Sequence, residues 1–593
     1  MDAVGFQSPL LISGTNLENP FAGYISEILA MEGYFCVEEH DLSKAPLTSD
    51  VLKDRPLTIL SNVSLDEEEI ETLKSYVEGG GNLIASRPPL ELADLFGVKP
   101  VTGHYNLARD CYIVINDKEP LMEGFPAESL QFKGDSEVYE PKETRVLAWL
   151  SAVPYKHPNY VAVALRSYGC GRAALFSYDL GETVVTLHQG VPENASNGPC
   201  ANADRSGMFK TTSLHIKVLD ERQKMIPQAD LHQDILVRLI RAMCDSTLPL
   251  MRVWHFPDKQ PALAFINGDS DGMNLEDLTR ILDLVEGYGA RYTIYLMREH
   301  LPLITPKVLE RLKRRGHGLG VHPWAGPRPS FKEMDEEITS ITKGFKEHFG
   351  FSACSTRTHS IIWVGWVESA KYMAKNCLKM DTSFAPGRCY QEGFICGSGL
   401  PFKFMDRDGR LIDLYEQATL ETDDGSFTSK TLFPPLTQEE AAAHSLDLID
   451  KCVNKYHCVY HPYFHPLNIR EEVFGTYRLE KVLEKLKELN VRTVNDEEWI
   501  KFNEARRALK VQIVEAGSGR VTYSVKASKT IEDVTFMFPP QWGNARIAHV
   551  RVDGRDSKLS LVNWEGGLEW ALINLTLREG CEVRITCEYS EAR

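Results

Sequence analysis

Short apolar runs alternate with amphipathic stretches through residues 1–245 of this 593-residue chain. PLLISG (9–14) and PLTILSNV (56–63) have the continuous apolar character of buried strands, and a helix-like stretch covers 21–32. SLDEEEIETLKSYVEGGG (64–81) is predicted to be an amphipathic helix. Ser64 stands at its N-cap position, acids fill the first turn where the helix dipole favours them, and glycines stop it. NLIASRPP (82–89) supplies the next strand and turn. This alternation implies a doubly wound α/β arrangement, a parallel sheet with helices on both faces. Residues 186–245 read as a connector: a polar loop, PENASNGPCANADRSG (192–207), and a helix over DLHQDILVRLIRAMC (230–244).

From 255 to 505 strands and helices alternate again. Beyond about 508 the period drops to two, in VQIVEAG, RVTYSVKA, DVTFMFPP, ALINLTLREG and EVRITCEYS. That pattern, with turn residues between the runs, predicts a small antiparallel β-sandwich. A chain of this length exceeds what one core can bury, so a multidomain α/β protein is expected, with units 1–245, 246–506 and 507–593.

Composition then excludes several function classes. A net charge of −17 and a pI near 5.6 disfavour nucleic acid and anionic membrane surfaces as partners. No apolar run reaches the ~18–20 residues needed to span a bilayer. The N-terminal MDAVGFQSPLLISG lacks the cationic and apolar regions of a secretory signal. The 13 cysteines are scattered without CxxC pairs, which reads as free thiols in a reducing compartment. A cytoplasmic location is therefore expected, with secretion the alternative if a signal has been trimmed away. Asn62, Asn194 and Asn574 head N-x-S/T triplets, read as chance matches in that setting. Homo-oligomerisation is left open.

The candidate chemistry sits at predicted strand ends between 255 and 505. PALAFINGDSDGMN (261–274) runs an apolar strand into Asp269, Ser270 and Asp271, followed by a helix. Carboxylates at the C-terminal end of a strand in an α/β region occupy the usual active-site edge. Two of them two residues apart can serve one metal, one as ligand and one as base; the bland alternative is a loop that caps the helix. RRGHGLGVHPW (314–324) ends a basic helix at Gly316 and puts His322 at the tip of a strand. His317, five residues earlier, faces the opposite side and reads as structural. STRTHSIIWVGW (355–366) carries Arg357 and His359 on one face, and Arg357 can hold a carboxylate bidentately. LKMDTSF (378–384) brings Asp381 to another strand end, and HCVYHPYFHP (457–466) brings His461 and His465.

In this order the motifs resemble those of the NodB-homology polysaccharide deacetylases, the superfamily that includes carbohydrate esterase family 4. Its members fold as distorted, incomplete (β/α) barrels and remove N- or O-acetyl groups from glycans. The resemblance implies Asp269 as base, Asp271 and His322 as metal ligands, Arg357 as the group that orients the base, and His461 as general acid. Three departures matter. Ser270 splits an acid pair that is usually adjacent, Gly326 stands where a second metal histidine is expected, and His359 replaces an apolar residue or proline. The expected ligand set is therefore Asp271, His322 and His359, with His465 next in line. A divalent metal is implied, and Zn²⁺ suits nitrogen and carboxylate donors. Trp324, Asp381 and His465 are the expected substrate contacts, though packing in the barrel wall is the alternative for Trp324.

YVEGGGNLIAS (76–86) and GRAALFSYDLGE (171–182) in turn resemble a class I glutamine-amidotransferase-like domain with a flavodoxin-like sheet. Its nucleophilic cysteine is replaced by the turn Ser86-Arg87-Pro88, so a non-catalytic domain is expected. The expected activity of the whole chain is metal-dependent removal of acetyl groups from an N- or O-acetylated carbohydrate. Two alternatives stand beside it: hydrolysis of a non-carbohydrate amide or cyclic imide, and a degenerate barrel that only binds glycans.

Overall fold

The computed structural model describes residues 7–14, 19–103, 106–156, 159–196, 208–428 and 434–591. Residues 1–6 of the N-terminal segment and 197–207 of the polar loop lie outside the described residues. Among the described residues no helix is long and apolar enough to cross a membrane, and Cys36, Cys244, Cys396, Cys452, Cys458 and Cys587 are buried free thiols.

The first nine-stranded sheet begins with Glu38–Asp41, Leu10–Ser13, Thr58–Leu60, Asn82–Ser86 and Gly171–Phe176, side by side and parallel. Their spatial order, second-first-third-fourth-fifth, is that of flavodoxin-like sheets. Successive residues of one strand serve opposite faces: Leu10 and Ile12 join one apolar core, and Leu11 joins another. The expectation of a wholly parallel sheet needs correction. Tyr160–Tyr168, Arg145–Ser151, Tyr112–Ile115 and Leu130–Gln131 continue it antiparallel. Short links such as Gly169-Cys170 can join only antiparallel neighbours. The helix predicted from Ser64 runs Glu67–Glu78 and is capped by Asp66, which accepts from Glu69 N at 2.9 Å while Glu69 reaches back to Asp66 N.

The second nine-stranded sheet carries the motif strands. Asn267–Asp269, Thr293–Leu296, Gly318–Val321, Ser355–Thr356, Met380–Asp381 and Leu411–Glu416 lie in that order, all parallel. On the other side of Asn267–Asp269 come Pro462–Tyr463 and then Glu421–Thr422. Both outer parallel strands thus belong to one short stretch, 411–422. Only residues 417–420 separate them, and an extended chain advances at most ~3.6 Å per residue. The sheet must therefore curl into a near-ring with 417–420 as its seam. Gln417 N bonds Asp381 O at 3.0 Å and Leu420 N bonds His461 O at 2.8 Å across that seam. The helices outside follow their sequence signals. Leu275–Gly287 has an Asn274/Asp277 capping box, and Pro306–Arg315 stops at Gly316 in the left-handed region. Phe331–Phe349 has a Ser330/Glu333 box.

Beyond Arg507 the chain forms antiparallel sheets, as the period-two pattern predicts. One contains Leu509–Gly517, Arg520–Ala527, Glu582–Glu591 and Ala545–Val552. The other contains Ile531–Phe538, Leu568–Leu577 and Ser560–Trp564, and it borrows Arg252–Val253 from well before residue 507. One buried apolar cluster runs from Leu11 to Tyr589 through all these sheets. At their junction Arg252, fully buried, bonds the Glu32 carboxylate, Glu565 Oε1 at 2.5 Å and His255 Nε2 at 3.0 Å.

Candidate active site

The strand ends of the curled sheet converge on Asp271. Its Oδ1 lies 2.9 Å from His359 Nδ1, and its Oδ2 lies 3.5 Å from both His322 Nε2 and His465 Nε2. His322 Nδ1 donates to the Arg357 carbonyl at 2.7 Å, which turns Nε2 toward Asp271, Asp269 and His359. His465 is oriented by a carboxylate instead. Its Nδ1 donates to Asp423 Oδ1 at 2.8 Å and its backbone N–H to Asp423 Oδ2 at 2.7 Å, while Asn468 holds the same carboxylate. Burial raises the Asp271 carboxyl, but hydrogen bonds from His322, His359 and His465 outweigh it and hold the group well below the usual carboxylate range. Burial likewise works against a charged His465, and Asp423 and Asp271 together raise it well above an ordinary imidazole.

Asp269 lies beside this group and is buried. Tyr463 donates to its Oδ2 at 2.9 Å, and the Arg357 guanidinium faces its Oδ1 at 3.7 Å. Neither Asp269 Oδ1 nor Arg357 Nη1 has a hydrogen-bond partner among the described residues. The rest of the guanidinium is fixed: Nε donates to Thr382 O at 3.0 Å and Nη2 to Thr419 Oγ1 at 2.7 Å. Asp269 reaches this position because Gly268 lets the strand press against its neighbour. A Cβ there would run into Phe464 O and the Tyr292 hydroxyl.

Ser270, which splits the acid pair, points elsewhere. Its hydroxyl accepts from Met297 N at 2.9 Å and meets His300 Nδ1 at 2.8 Å. Asp269 and Asp271 therefore share the side facing His322, as alternation along an extended chain requires.

The structure brings together Asp269, Asp271, His322, Arg357, His359 and His465, and it sets other expected residues apart. His461 is wholly buried: Nδ1 donates to the Gln417 and Ala418 carbonyls at 3.1 and 3.0 Å, Nε2 meets Asn267, and the ring stacks on Phe265. Burial, and then Arg357, push it well below an ordinary imidazole, so it is a neutral group beneath the site. His461, the expected general acid, thus lies beneath the site, and the partly exposed imidazole of this segment is His465. Asp381 is also fully buried, bonded to Ser383 and adjoining Glu416, with its carboxyl raised by burial. Trp324 is half-buried, edge-on to His359 with ring centres 4.4 Å apart. His317 turns away to accept from Tyr292 N at 3.1 Å and to meet Glu286 at 3.3 Å. Gly326 stands in the left-handed region at φ 93°.

Asp423, Asn468 and Tyr463 were not singled out from sequence. Tyr463 had a signal, since it stands two residues from both His461 and His465 in an extended segment. Asp423 had none, lying 42 residues from His465.

One oxygen of Asp271 and one nitrogen each of His322 and His359 lie within 4.8 Å of one another. Two imidazoles and an ionised carboxylate, one imidazole already oriented by a carbonyl, fit a divalent cation. Asp269, Asp271 and His465 form a second such group that shares Asp271. A third group, Glu32, His255 and Glu565, surrounds Arg252, whose guanidinium already supplies the positive charge.

No family model and no curated protein matches the chain. Among solved structures it is similar to the Xyl-CE4 domain of a multidomain xylanase from the hindgut metagenome of Trinervitermes trinervoides. The two are 15% identical over 41% of this chain and 91% of that one, with a TM-score of 0.26. A family 4 acetyl xylan esterase from Clostridium thermocellum, in complex with a cobalt ion, is also 15% identical. That match covers 40% of this chain and 89% of the other, with a TM-score of 0.26. A beta-galactosidase from Bacillus circulans sp. alkalophilus is 13% identical over 30% of this chain and 29% of its own, with a TM-score of 0.23.

Proposed function

We propose that the chain is a metal-dependent hydrolase that removes acetyl groups from an N- or O-acetylated carbohydrate. The observation that carries this reading is the division of labour around Asp271. Two imidazoles face it, Asp269, bonded by Tyr463, stands on one side, and a carboxylate-oriented His465 stands on the other. Asp271, His322 and His359 would hold the divalent ion, which supplies Lewis-acid polarisation of the acyl carbonyl and acidifies water. Asp269 takes one proton from the attacking water, with the Arg357 guanidinium 3.7 Å from its Oδ1. His465 gives its Nε2 proton to the departing nitrogen or oxygen while Asp423 steadies the imidazolium. One proton is taken and one is given, so the pair is reset by returning a single proton. Trp324, half-buried and edge-on to His359, offers an indole face on which a sugar ring can stack. Asp381 and His461 we assign to the supporting wall.

His359 also answers the observation behind the glycan-binding alternative. It supplies a second nitrogen next to Asp271 where Gly326 leaves a histidine out. The N-terminal unit we read as amidotransferase-like and non-catalytic. The turn after Asn82–Ser86 presents Arg87, at φ 43° and paired with Glu137 at 3.1 Å, where a thiol would be needed.

The test is metal content together with acetate release from N- and O-acetylated oligosaccharides, for the wild type, Asp271→Ala and His322→Ala. Stoichiometric metal and acetate release lost in both variants is the expected result. A metal-free wild type, or activity that survives both substitutions, removes the reading.

A further inference from the structure

Tyr463 has no assigned part in the reaction above, yet its hydroxyl sits between the two groups that move protons. It donates to Asp269 Oδ2 at 2.9 Å and meets His465 Nε2. A phenol carries one proton and two lone pairs, so it serves Asp269 as donor while accepting from His465. The ring is fixed as firmly as the hydroxyl. Its backbone pairs with Asn267 on one side and Thr422 on the other, and the side chain is buried. The Arg357 guanidinium lies over its face, 4.4 Å from the ring centre, and the same guanidinium faces Asp269 Oδ1. Asp269 thus has one oxygen turned toward Arg357 and the other pinned by Tyr463. The terminal torsion of a carboxylate has a broad, shallow preference, and donors on both oxygens set its plane.

We propose that Tyr463 is a positioning residue of this site: its hydroxyl fixes the plane of the Asp269 carboxylate and its spacing from His465, so that base and acid stay in register across the acyl group. The inference rests on reading Asp269 as the base. Loss of a hydrogen bond to a charged group predicts that Y463F lowers kcat roughly 10- to 100-fold. KM and metal content should hold, because the hydroxyl touches the base and the acid rather than the proposed ligands His322 and His359. A wild-type kcat in Y463F overturns the proposal, and so does a kcat loss that only follows a loss of metal or of thermal stability. A second measurement needs no turnover. With 3-fluorotyrosine at position 463, the ¹⁹F resonance should move in D269N, where an amide replaces the carboxylate acceptor. A resonance that ignores D269N overturns the positioning role whether or not Y463F folds. A wild type that releases no acetate removes the deacetylase reading instead, and the fluorine comparison still decides whether Tyr463 holds Asp269.

Discussion

Asp271 receives three imidazoles, and their differing surroundings separate their roles. His322 is oriented by a carbonyl and wholly buried, His359 opens the short 3-10 helix His359–Ile361 and is partly exposed, and His465 leans on the Asp423 carboxylate. On the proposed reading His359→Ala should lower the metal content of the purified protein, as His322→Ala should. His465→Ala should keep the metal and lose about 10²–10⁴ of kcat, the usual share of general acid–base catalysis. Metal lost in His465→Ala and kept in His359→Ala would exchange the two assignments. At this scale the sequence carried much of the site. The order Asp269, Asp271, His322, Arg357 was legible because each residue lies at or within two residues of the end of a short strand, where side-chain direction follows from counting by twos. The choice between His461 and His465 was not legible. Counting by twos puts both on one side of the segment 461–465, of which only Pro462–Tyr463 pairs as a strand, and no local signal tells the buried His461 from the partly exposed His465. Asp423 was invisible because its partner is brought to it by the curl of the sheet and not by spacing.

Among the elements, helices were read more accurately than strands, for a physical reason. A helix announces its ends through local bonds, as the Asp66/Glu69, Asn274/Asp277 and Ser330/Glu333 boxes do, so errors amount to a couple of residues. Strand partners are chosen by distant segments. The antiparallel half of the first sheet and the loan of Arg252–Val253 to the C-terminal strands had no local signal. The strand Asn267–Asp269 shows how tightly such pairing is drawn. Gly268→Ala puts a methyl group into Phe464 O and the Tyr292 hydroxyl, neither of which can yield without moving a strand. Overpacking of this kind costs about 1–3 kcal/mol, and here it also displaces Asp269. The expected outcome is a lowered unfolding temperature together with loss of acetate release; an Ala variant with wild-type values of both would show that the strand has room to spare.

Across the whole molecule the sheets share one core, and the contacts between them include imidazoles with no room for charge. His188, on the helix Leu180–Gln189, stacks on Phe402 of the curled sheet with ring centres 4.0 Å apart, and it is fully buried. Burial, with a smaller contribution from His215, lowers its pKa to about 3. An unfolded histidine titrates near 6.5, so between those values the unfolded chain binds the extra proton. The contribution of His188 is then full above about pH 6.5 and is lost as pH falls toward 3. Between pH 7 and pH 5 the wild type should lose about 2 kcal/mol relative to His188→Gln. Urea unfolding at the two pH values measures this, and parallel losses in both proteins would sink it. The seam at 417–420 has a consequence of a different kind. Thr419, which holds Arg357, and the carbonyls of Gln417 and Ala418, which hold His461, all belong to the stretch that closes the ring. That stretch comes about 150 residues after Asp269 in the chain. During synthesis the ribosome therefore delivers the acids, His322 and His359 well before the piece that locks Arg357 in place. A partly made or partly opened chain can bring His322 and His359 to Asp271 while Arg357 still lacks its partner Thr419, so on the proposed reading the ability to take up an ion and the ability to turn over should appear at different moments in the life of the molecule.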